Sequence, residues 1–352
     1  MRMLLILSII VIISVFSVTS TAQELSEPEN NFEHLWKTFD RDYGIFLPKR
    51  VDWKALYKVY RPKVTPETTD DELFDIMAAM LGHLNDNHVG LRNSSRSFAA
   101  GMLQQIKNEG FSLSLIKEKY LKNNFTPKLN GRFHYGFLAE DIGYFHFSGF
   151  RGVSESAAVV DEIVEKFKNC KSIVIDIRNN FGGNDQVGKA IAARFADKKR
   201  LYMTTQIRNG PEYDDFSKPK YFYAEPGGPR QYTKPIVLLM HRYSISAADN
   251  FAMAMRVLPH ATLAGETTSG CQADMRGDRL PNGWRFSISY TLFVDQDGFC
   301  WEGIGIPPDL RVVNTNEDIE QGKDKVLEFA IDLINTGALK SVNKKHKYPI
   351  EK

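Results

Sequence analysis

Three side chains in separate stretches of the sequence could together carry out acyl transfer. Ser246 stands at the start of a predicted helix that follows the buried strand 235–240. At such a corner a serine hydroxyl can act as a nucleophile, because the helix N-terminus stabilises developing negative charge. His88 follows a predicted helix and precedes a short apolar strand, so its imidazole could serve as the general base. Glu302 ends a predicted strand, and its carboxylate could orient the histidine.

A fourth stretch could bind the oxyanion of such a reaction. Gly182 and Gly183 form a turn between the predicted buried strand 172–177 and a helix. Backbone N–H groups exposed by a turn of this kind can hold an anion. Each of the four features also has an ordinary structural explanation, since serines cap helices, histidines cap or pack, glutamates are mostly exposed and glycines form turns. The chemical interpretation therefore depends on all four occurring together.

The elements that must position these residues alternate regularly from residue 142 onward. The predicted strands are 142–147, 172–177, 235–240 and 261–264, and the predicted helices are 154–168, 185–195, 246–257 and 318–333. Near-continuous apolar strands that alternate with helices are typical of a largely parallel sheet covered by helices. Residues 285–294 alternate as antiparallel strands do. Because α/β folds bind ligands at strand ends, we expect one site in an α/β core over 141–340.

The N-terminal part is predicted to be a helical domain over 23–91. Apolar residues at 32, 35, 36 and 39 have helical spacing, a second helix covers 53–60, and a capping box at Thr69 and Glu72 begins a third. Residues 92–140 are predicted to form a connecting segment with short strands. Residues 341–352 are predicted to be a basic tail, with the character of a solvated chain end.

The first 22 residues have the layout of a secretory signal peptide. A basic start, an apolar run over 4–18 and small residues at Ser20 and Ala22 precede a cut after Ala22. The run is shorter than the roughly 20 apolar residues that a membrane span needs, although an uncleaved anchor is the alternative. We expect an exported protein, periplasmic or extracellular, with no stable membrane span after signal cleavage.

Composition excludes several classes of partner. The net charge of +2 is too weak, and the lysines too scattered, to predict nucleic-acid binding. The sequence contains no CxxC, no zinc-type Cys/His cluster and no HExxH, so we expect neither metal nor cofactor. Export makes one disulfide plausible, and Cys271 and Cys300, which flank the predicted antiparallel strands, are the candidate pair. Cys170 would remain a free thiol.

Taken in order, five motifs resemble those of the C-terminal processing (tail-specific) serine peptidases, in their tricorn-like branch. The resemblance runs over about residues 30–335 and depends on all five motifs in sequence. The motifs are Leu84-Asn85-Asp86-Asn87-His88, Asp176 to Gly183, Ser246-Ala247-Ala248-Asp249, Gly265 to Gly270, and Glu302 to Asp309.

This resemblance implies a fold and a role for each candidate residue. It implies a crotonase/ClpP-like α/β core behind the helical N-terminal domain, with Ser246 as nucleophile and His88 as base. Glu302 would complete the relay, and the N–H groups of Gly183 and Ala247 would form the oxyanion hole.

Three departures from the family's motifs refine this expectation. The lysine base of another branch has no counterpart, because that position reads Ser269-Gly270-Cys271-Gln272. Relatives often have serine before the histidine, whereas this chain has Asn87, which we predict to link His88 to Glu302 as an outer-shell residue. The PDZ module of the processive members is absent from the sequence, so recognition of C-terminal tails is not implied.

The sequence thus predicts an exported serine peptidase that acts on a peptide or protein substrate through an acyl-enzyme. A catalytically silent protein that binds peptides or small ligands on the same scaffold is the alternative. A serine esterase is a third reading, since an acyl-transfer site does not by itself distinguish amides from esters. The oligomeric state does not follow from the sequence.

Overall fold

The structure, a computed structural model, describes residues 24–101 and 109–341. The predicted signal peptide lies outside this part of the chain, and so does the basic tail except for Ser341. The α-helices are α1 (Glu27–Asp42), α2 (Phe46–Lys49), α3 (Trp53–Tyr60), α4 (Asp70–Gly82), α5 (Leu113–Leu115), α6 (Val153–Lys166), α7 (Asp185–Ala192), α8 (Ala247–Arg256), α9 (Asn316–Glu320) and α10 (Lys325–Asn335). A π-helical turn follows α5 (Ile116–Tyr120), and 3-10 turns cover Arg61–Lys63 and Ala338–Ser341.

The strands form three sheets, of seven, four and three strands. They are β1 (Gly90–Arg92), β2 (Ser97–Ala99), β3 (Phe125–Lys128), β4 (Phe133–Ala139), β5 (Ile142–Phe147), β6 (Ser172–Asp176), β7 (Arg200–Ile207), β8 (Lys220–Ala224), β9 (Ile236–Met240), β10 (Ala261–Gly265), β11 (Met275–Arg279), β12 (Arg285–Ser289), β13 (Thr291–Asp295) and β14 (Leu310–Arg311).

The seven-stranded sheet forms the centre of the α/β core. Its order is β14-β10-β9-β6-β5-β4-β3, parallel from β14 to β5 and antiparallel from β5 to β3. Helices α6, α7 and α8 bury their apolar faces against one side of the sheet, and α10 covers the other. The prediction of a largely parallel sheet between helices is confirmed. The β3–β4 hairpin extends this sheet, so the sheet itself begins before residue 141.

The N-terminal helices share a hydrophobic core with strands from distant parts of the chain. Phe39 and Trp53 pack in one cluster with Leu91 from β1 and Phe286 and Ile288 from β12. The four-stranded sheet β11-β12-β1-β2 carries this apolar face. Residues 273–292 therefore complete the helical region, and the chain returns to it after building most of the α/β core.

Two predicted elements are divided in the structure. The alternating run 285–294 splits at Tyr290, so that β12 joins the four-stranded sheet while β13 pairs with β7. The predicted helix 318–333 is wrong as a single element. It is two helices, α9 and α10, because Gly322 adopts a left-handed φ of 70° and the Asp324 side chain caps α10 by accepting from the N–H of Leu327.

No helix within residues 24–101 and 109–341 is long and apolar enough to cross a membrane.

Candidate active site

Ser246 occupies a strained corner between strand β9 and helix α8. Its φ of 59° lies in the left-handed region, which a non-glycine residue adopts rarely and at a cost. The neighbouring backbone holds this geometry, since Ile245 N–H donates to the carbonyl of Asn180 over 2.9 Å and Ser244 Oγ donates to the carbonyl of Ile177 over 2.8 Å. The serine therefore starts α8 with a conformation that an ordinary cap does not need.

The Gly182-Gly183 turn packs directly against this corner. A Cβ atom placed on Gly182 would lie 2.8 Å from Cβ of Ser246 and 3.0 Å from N of Ala247, too close for any side chain. Gly182 and Gly183 also have φ values of 81° and 137°, which glycine alone adopts freely. Within the described residues, no backbone hydrogen bond uses the N–H of Gly183 or of Ala247. The two predicted oxyanion donors, the N–H groups of Gly183 and Ala247, therefore belong to backbone segments that pack against each other, and both are available to a ligand.

His88 follows α4 in a turn whose position is fixed by Asp86. The buried Asp86 carboxylate accepts from the N–H of His88 over 2.8 Å, from the hydroxyl of Tyr43 over 2.7 Å and from that of Ser289 over 3.1 Å. Nδ1 of His88 has no hydrogen-bond partner among the described residues. The turn is thus tied to both the helical region and β12, while the imidazole remains unpaired on that nitrogen.

One loop, residues 268–273, connects the three candidate segments. The buried carboxylate of Asp249, on the first turn of α8, accepts from Ser269 Oγ over 2.8 Å, from Gly270 N over 2.8 Å and from Cys271 N over 3.3 Å. Asn87, beside His88, donates from Nδ2 to the carbonyl of Ser269 over 3.3 Å. The nucleophile helix and the histidine turn thus contact the same few residues of one loop.

Glu302 approaches the same loop from the other side. Its Oε2 accepts from the N–H of Gln272 over 2.7 Å and from that of Ala273 over 2.9 Å. Burial and the nearby carboxylate of Asp86 raise the pKa of Glu302 to about 8, against the opposing charge of Lys49 and the two backbone donors. This environment favours the protonated form of Glu302. Its Oε1 has no partner among the described residues.

Asn87 donates from Nδ2 to the Ser269 carbonyl, in the same loop whose residues Gln272 and Ala273 donate to Glu302. The link from His88 through Asn87 to Glu302 remains a prediction.

The sequence did not predict a role for three acidic residues of the site. Asp86 and Asp249 are buried anchors, and each lies within a motif singled out above, one before His88 and one after Ser246. Asp274 lies close enough to His88 for their charges to interact. The surrounding protein raises the pKa of its carboxyl, while the Thr291 hydroxyl and the charge of His88 oppose that rise. No local pattern in the sequence marked Asp274.

The predicted Cys271–Cys300 disulfide is wrong for this structure, in which all three cysteines are free thiols. Cys271 is fully buried in the loop held by Asp249, whereas Cys300 packs at the edge of the helical core. Each thiol has a separate packing role, and burial raises the pKa of both. Within the described chain, no group of three or more histidine, cysteine or acidic side chains is arranged to hold a metal ion.

A strained serine at a strand-to-helix corner, beside two available N–H donors on an α/β core, is the arrangement of a serine-type hydrolase. Comparison with known proteins identifies the family. Residues 141–312 match the model described as peptidase family S41, and residues 26–82 match the tricorn protease C1 domain. The chain belongs to peptidase family S41, a family of serine-type peptidases.

Individual relatives agree with this assignment. A crystal structure of a candidate peptidase from Parabacteroides merdae is 33% identical, with a TM-score of 0.79, and the alignment covers 88% of this chain and 97% of that one. The carboxy-terminal processing protease CtpA of Bacillus subtilis is 26% identical over 41% of this chain and 29% of its own length. The tricorn protease of Thermoplasma volcanium is 26% identical over 64% of this chain and 20% of its own length. The chain thus spans less than a third of these two curated relatives.

Proposed function

We propose that the protein is an exported serine peptidase that cleaves peptide bonds through an acyl-enzyme on Ser246, with His88 as general base. The observation that carries the proposal is the strained backbone of Ser246 beside the available N–H groups of Gly183 and Ala247. Residues with strained backbone of this kind cluster at functional sites. The strain persists only where the surrounding structure enforces it. A helix-capping serine has no need of it.

In the proposed mechanism, His88 takes the proton of the Ser246 hydroxyl as its oxygen attacks the scissile carbonyl. The N–H groups of Gly183 and Ala247 stabilise the oxyanion, and the positive end of α8 adds to this effect. His88 then gives the proton to the leaving amine, which departs and leaves an ester on Ser246. Water, deprotonated by His88, hydrolyses the ester and restores the serine.

The substrate is proposed to bind as an extended strand beside β11. This strand is an edge of the four-stranded sheet and begins two residues after the loop 268–273 that joins the candidate segments. An unpaired strand edge offers backbone donors and acceptors that a peptide can pair with. Peptide or protein segments, rather than compact small molecules, match such an edge.

Labelling with a serine-reactive fluorophosphonate tests the proposal. The chain without residues 1–22 should incorporate the probe at Ser246, as mapped by peptide mass spectrometry, and Ser246→Ala should abolish both labelling and peptide cleavage. Removal of a nucleophile typically lowers kcat by several orders of magnitude. His88→Gln should slow labelling while the fold, checked by thermal melting, is preserved.

Two outcomes would favour the competing functions. A correctly folded chain that binds peptides but never labels would be the silent binding protein. A chain that labels at Ser246 and hydrolyses activated esters, yet leaves every peptide in a diverse library intact, would be an esterase. Cleavage of peptides by Ser246→Ala at the rate of the unmodified chain would remove Ser246 from the mechanism.

A further inference from the structure

Three arginines face one another across the outer side of the four-stranded sheet. In the strand register Arg92 of β1 is directly opposite Arg285 of β12, and Arg285 is directly opposite Arg279 of β11. All three side chains are exposed, whereas the residues next to them, Leu91, Phe286 and Leu280, are buried in the helical core. We call these three residues the arginine row.

The arginine row carries positive charge without compensation. Within the described chain, none of the three guanidinium groups has an ion pair or a hydrogen-bond partner, although other arginines of this sheet do. Arg276, on the opposite face of β11, pairs with Asp42, and Arg96 pairs with Asp75. Like charges directly opposite each other on antiparallel strands destabilise a sheet. A row of three such charges is therefore a cost to the fold that a bound anion would remove.

The surface around the row is shaped to receive a ligand. The three arginines line a groove of about 510 Å³ together with Asn282 and Trp284. Asn282 holds the turn at the end of the groove, where its Oδ1 accepts from the N–H of Trp284 over 3.2 Å. Guanidinium groups bind carboxylates and phosphates in a bidentate manner. The groove thus fits an anion with several acceptor oxygens.

The row lies at the far end of β11 from the loop 268–273 that joins the candidate segments. Arg279 ends β11 four residues after Met275, where the strand leaves loop 268–273, so the row lies about 13 Å from the start of β11 at roughly 3.3 Å per residue. The next row toward the site consists of Gly277, Ser287 and Gly90. These side chains are small or absent, so none of the three separates the row from the start of β11.

We propose that the arginine row recognises an acidic segment of the peptide substrate, about four residues from the scissile bond. The inference rests on the proposed peptidase function, because it assumes a substrate strand beside β11. The row and the loop of the candidate site lie along one strand, β11, and this arrangement favours a peptide that spans both. An anionic glycan or lipid surface could bind the row without reaching the site. Carboxylates four residues away would meet Arg279 first and then Arg285 and Arg92.

Binding to the inactive chain tests the row separately from catalysis. Fluorescence anisotropy with Ser246→Ala would compare a labelled peptide carrying a run of glutamates with the same peptide carrying glutamines. We expect the glutamate peptide to bind at least about 10-fold more tightly in low salt, and this advantage to disappear at about 0.5 M salt, where exposed charges are screened. Adding Arg92→Gln, Arg279→Gln and Arg285→Gln should remove the difference, whereas Arg276→Gln should keep it.

Kinetics of the active chain complete the test. The triple Gln variant should raise KM for glutamate-containing peptides about 10-fold while kcat, and all constants for glutamine peptides, remain unchanged. Equal binding of the two peptides to Ser246→Ala would overturn the proposal. So would retention of the difference in the triple variant, or row-dependent binding of heparin or anionic vesicles without any preference for the acidic peptide. If the preference is found but no peptide is ever cleaved, the peptidase function fails while the acidic-peptide site stands.

Discussion

At the scale of single residues, the candidate site is unusual in how many carboxyl groups it buries. Asp86, Asp249 and Glu302 are all nearly inaccessible to solvent. Burial raises the pKa of Asp249, and hydrogen bonds from Ser269, Gly270 and Cys271 oppose that rise. Burial and the neighbouring carboxylate of Asp86 raise the pKa of Glu302 to about 8. The carboxyl of Glu302 therefore titrates within the range where a hydrolase works.

Glu302→Gln should change the pH dependence of peptide cleavage. The glutamine resembles the protonated acid, so kcat at pH 7 should fall by less than about 3-fold. Ionisation of Glu302 above pH 8 adds negative charge that stabilises the imidazolium of His88 in the transition state. The variant should therefore lack the rise in kcat through about pH 8 and be roughly 10-fold slower at pH 9. Rates measured from pH 6 to 9.5 give the comparison.

A matched control for this profile is Glu165→Gln, because Glu165 is an exposed glutamate of α6 that pairs with Lys168 and Arg230. Its profile should follow that of the unmodified chain. If Glu302→Gln also retains the rise in kcat near pH 8, the carboxyl of Glu302 does not take part in the relay.

Asn87 is expected to act through position rather than by touching substrate. Its side-chain amide donates to the Ser269 carbonyl, and this contact fixes the position of the histidine turn relative to loop 268–273. Asn87→Ser should keep much of the activity, while Asn87→Ala and Asn87→Leu should lower kcat by roughly 10–100-fold with little change in KM. Steady-state kinetics of the three variants, with melting temperatures, measure this. Equal kcat values in all three would leave Asn87 as a residue that only ends the turn.

At the scale of elements, the site depends on the contact between the Gly182-Gly183 turn and the start of α8. Gly182→Ala would place a methyl group 2.4 Å from the carbonyl oxygen of Ile245 and 2.8 Å from Cβ of Ser246. The turn or the helix start must then move by several tenths of an ångström. Because oxyanion donors act over hydrogen-bond distances, we expect kcat to fall by roughly 100-fold, the scale of losing one donor.

Gly182→Ala should affect kcat more than it affects the stability of the fold. Gly337→Ala is a suitable control, because Gly337 also has a positive φ, of 72°, but nothing lies within 4 Å of an added Cβ. It carries similar backbone strain in the turn after α10. A Gly182→Ala variant that keeps full kcat, or one that loses activity only in proportion to Gly337→Ala, would show that the turn does not supply the oxyanion donors.

Much of the core could be predicted at this scale, and the reasons are local. Strands β5, β6, β9 and β10 are short apolar runs, and the helices between them have clear periodicity. The division at Tyr290 was not predictable, because β12 and β13 alternate without interruption in the sequence. Their partners, β1 and β7, are separated from them by long stretches of chain, and partner choice is a tertiary property.

At the scale of the whole molecule, the site lies where two cores meet. The helical core is completed by β11 and β12, which arrive after the α/β core has been built, and loop 268–273 passes between the two. The motifs predicted that Ser246, His88 and Glu302 belong together, but they could not show that Asp249 and Asp274 join them. Those contacts arise from the path of the chain between cores, which no short-range pattern records.

A buried pair of histidines outside the site makes the stability of the molecule sensitive to acid. His134 of β4 and His146 of β5 are cross-strand neighbours, and burial lowers the pKa of each to about 4. An unfolded chain has histidine pKa values near 6.5, so between about pH 6.5 and 4 the unfolded state binds more protons. The free energy of unfolding should therefore fall as pH decreases through this range, and thermal melting between pH 7.5 and 4 measures it.

Replacing the buried ring isolates this contribution from that of the carboxylates. His146→Phe keeps a ring that can stack on Phe111 but cannot bind a proton, so melting temperature should depend less steeply on pH between 6.5 and 4. His83→Gln changes an exposed histidine that is hydrogen-bonded to Tyr60, so it should leave the dependence of melting temperature on pH unchanged. If His146→Phe folds and melts with the original slope, the buried histidine is not the source of the acid sensitivity.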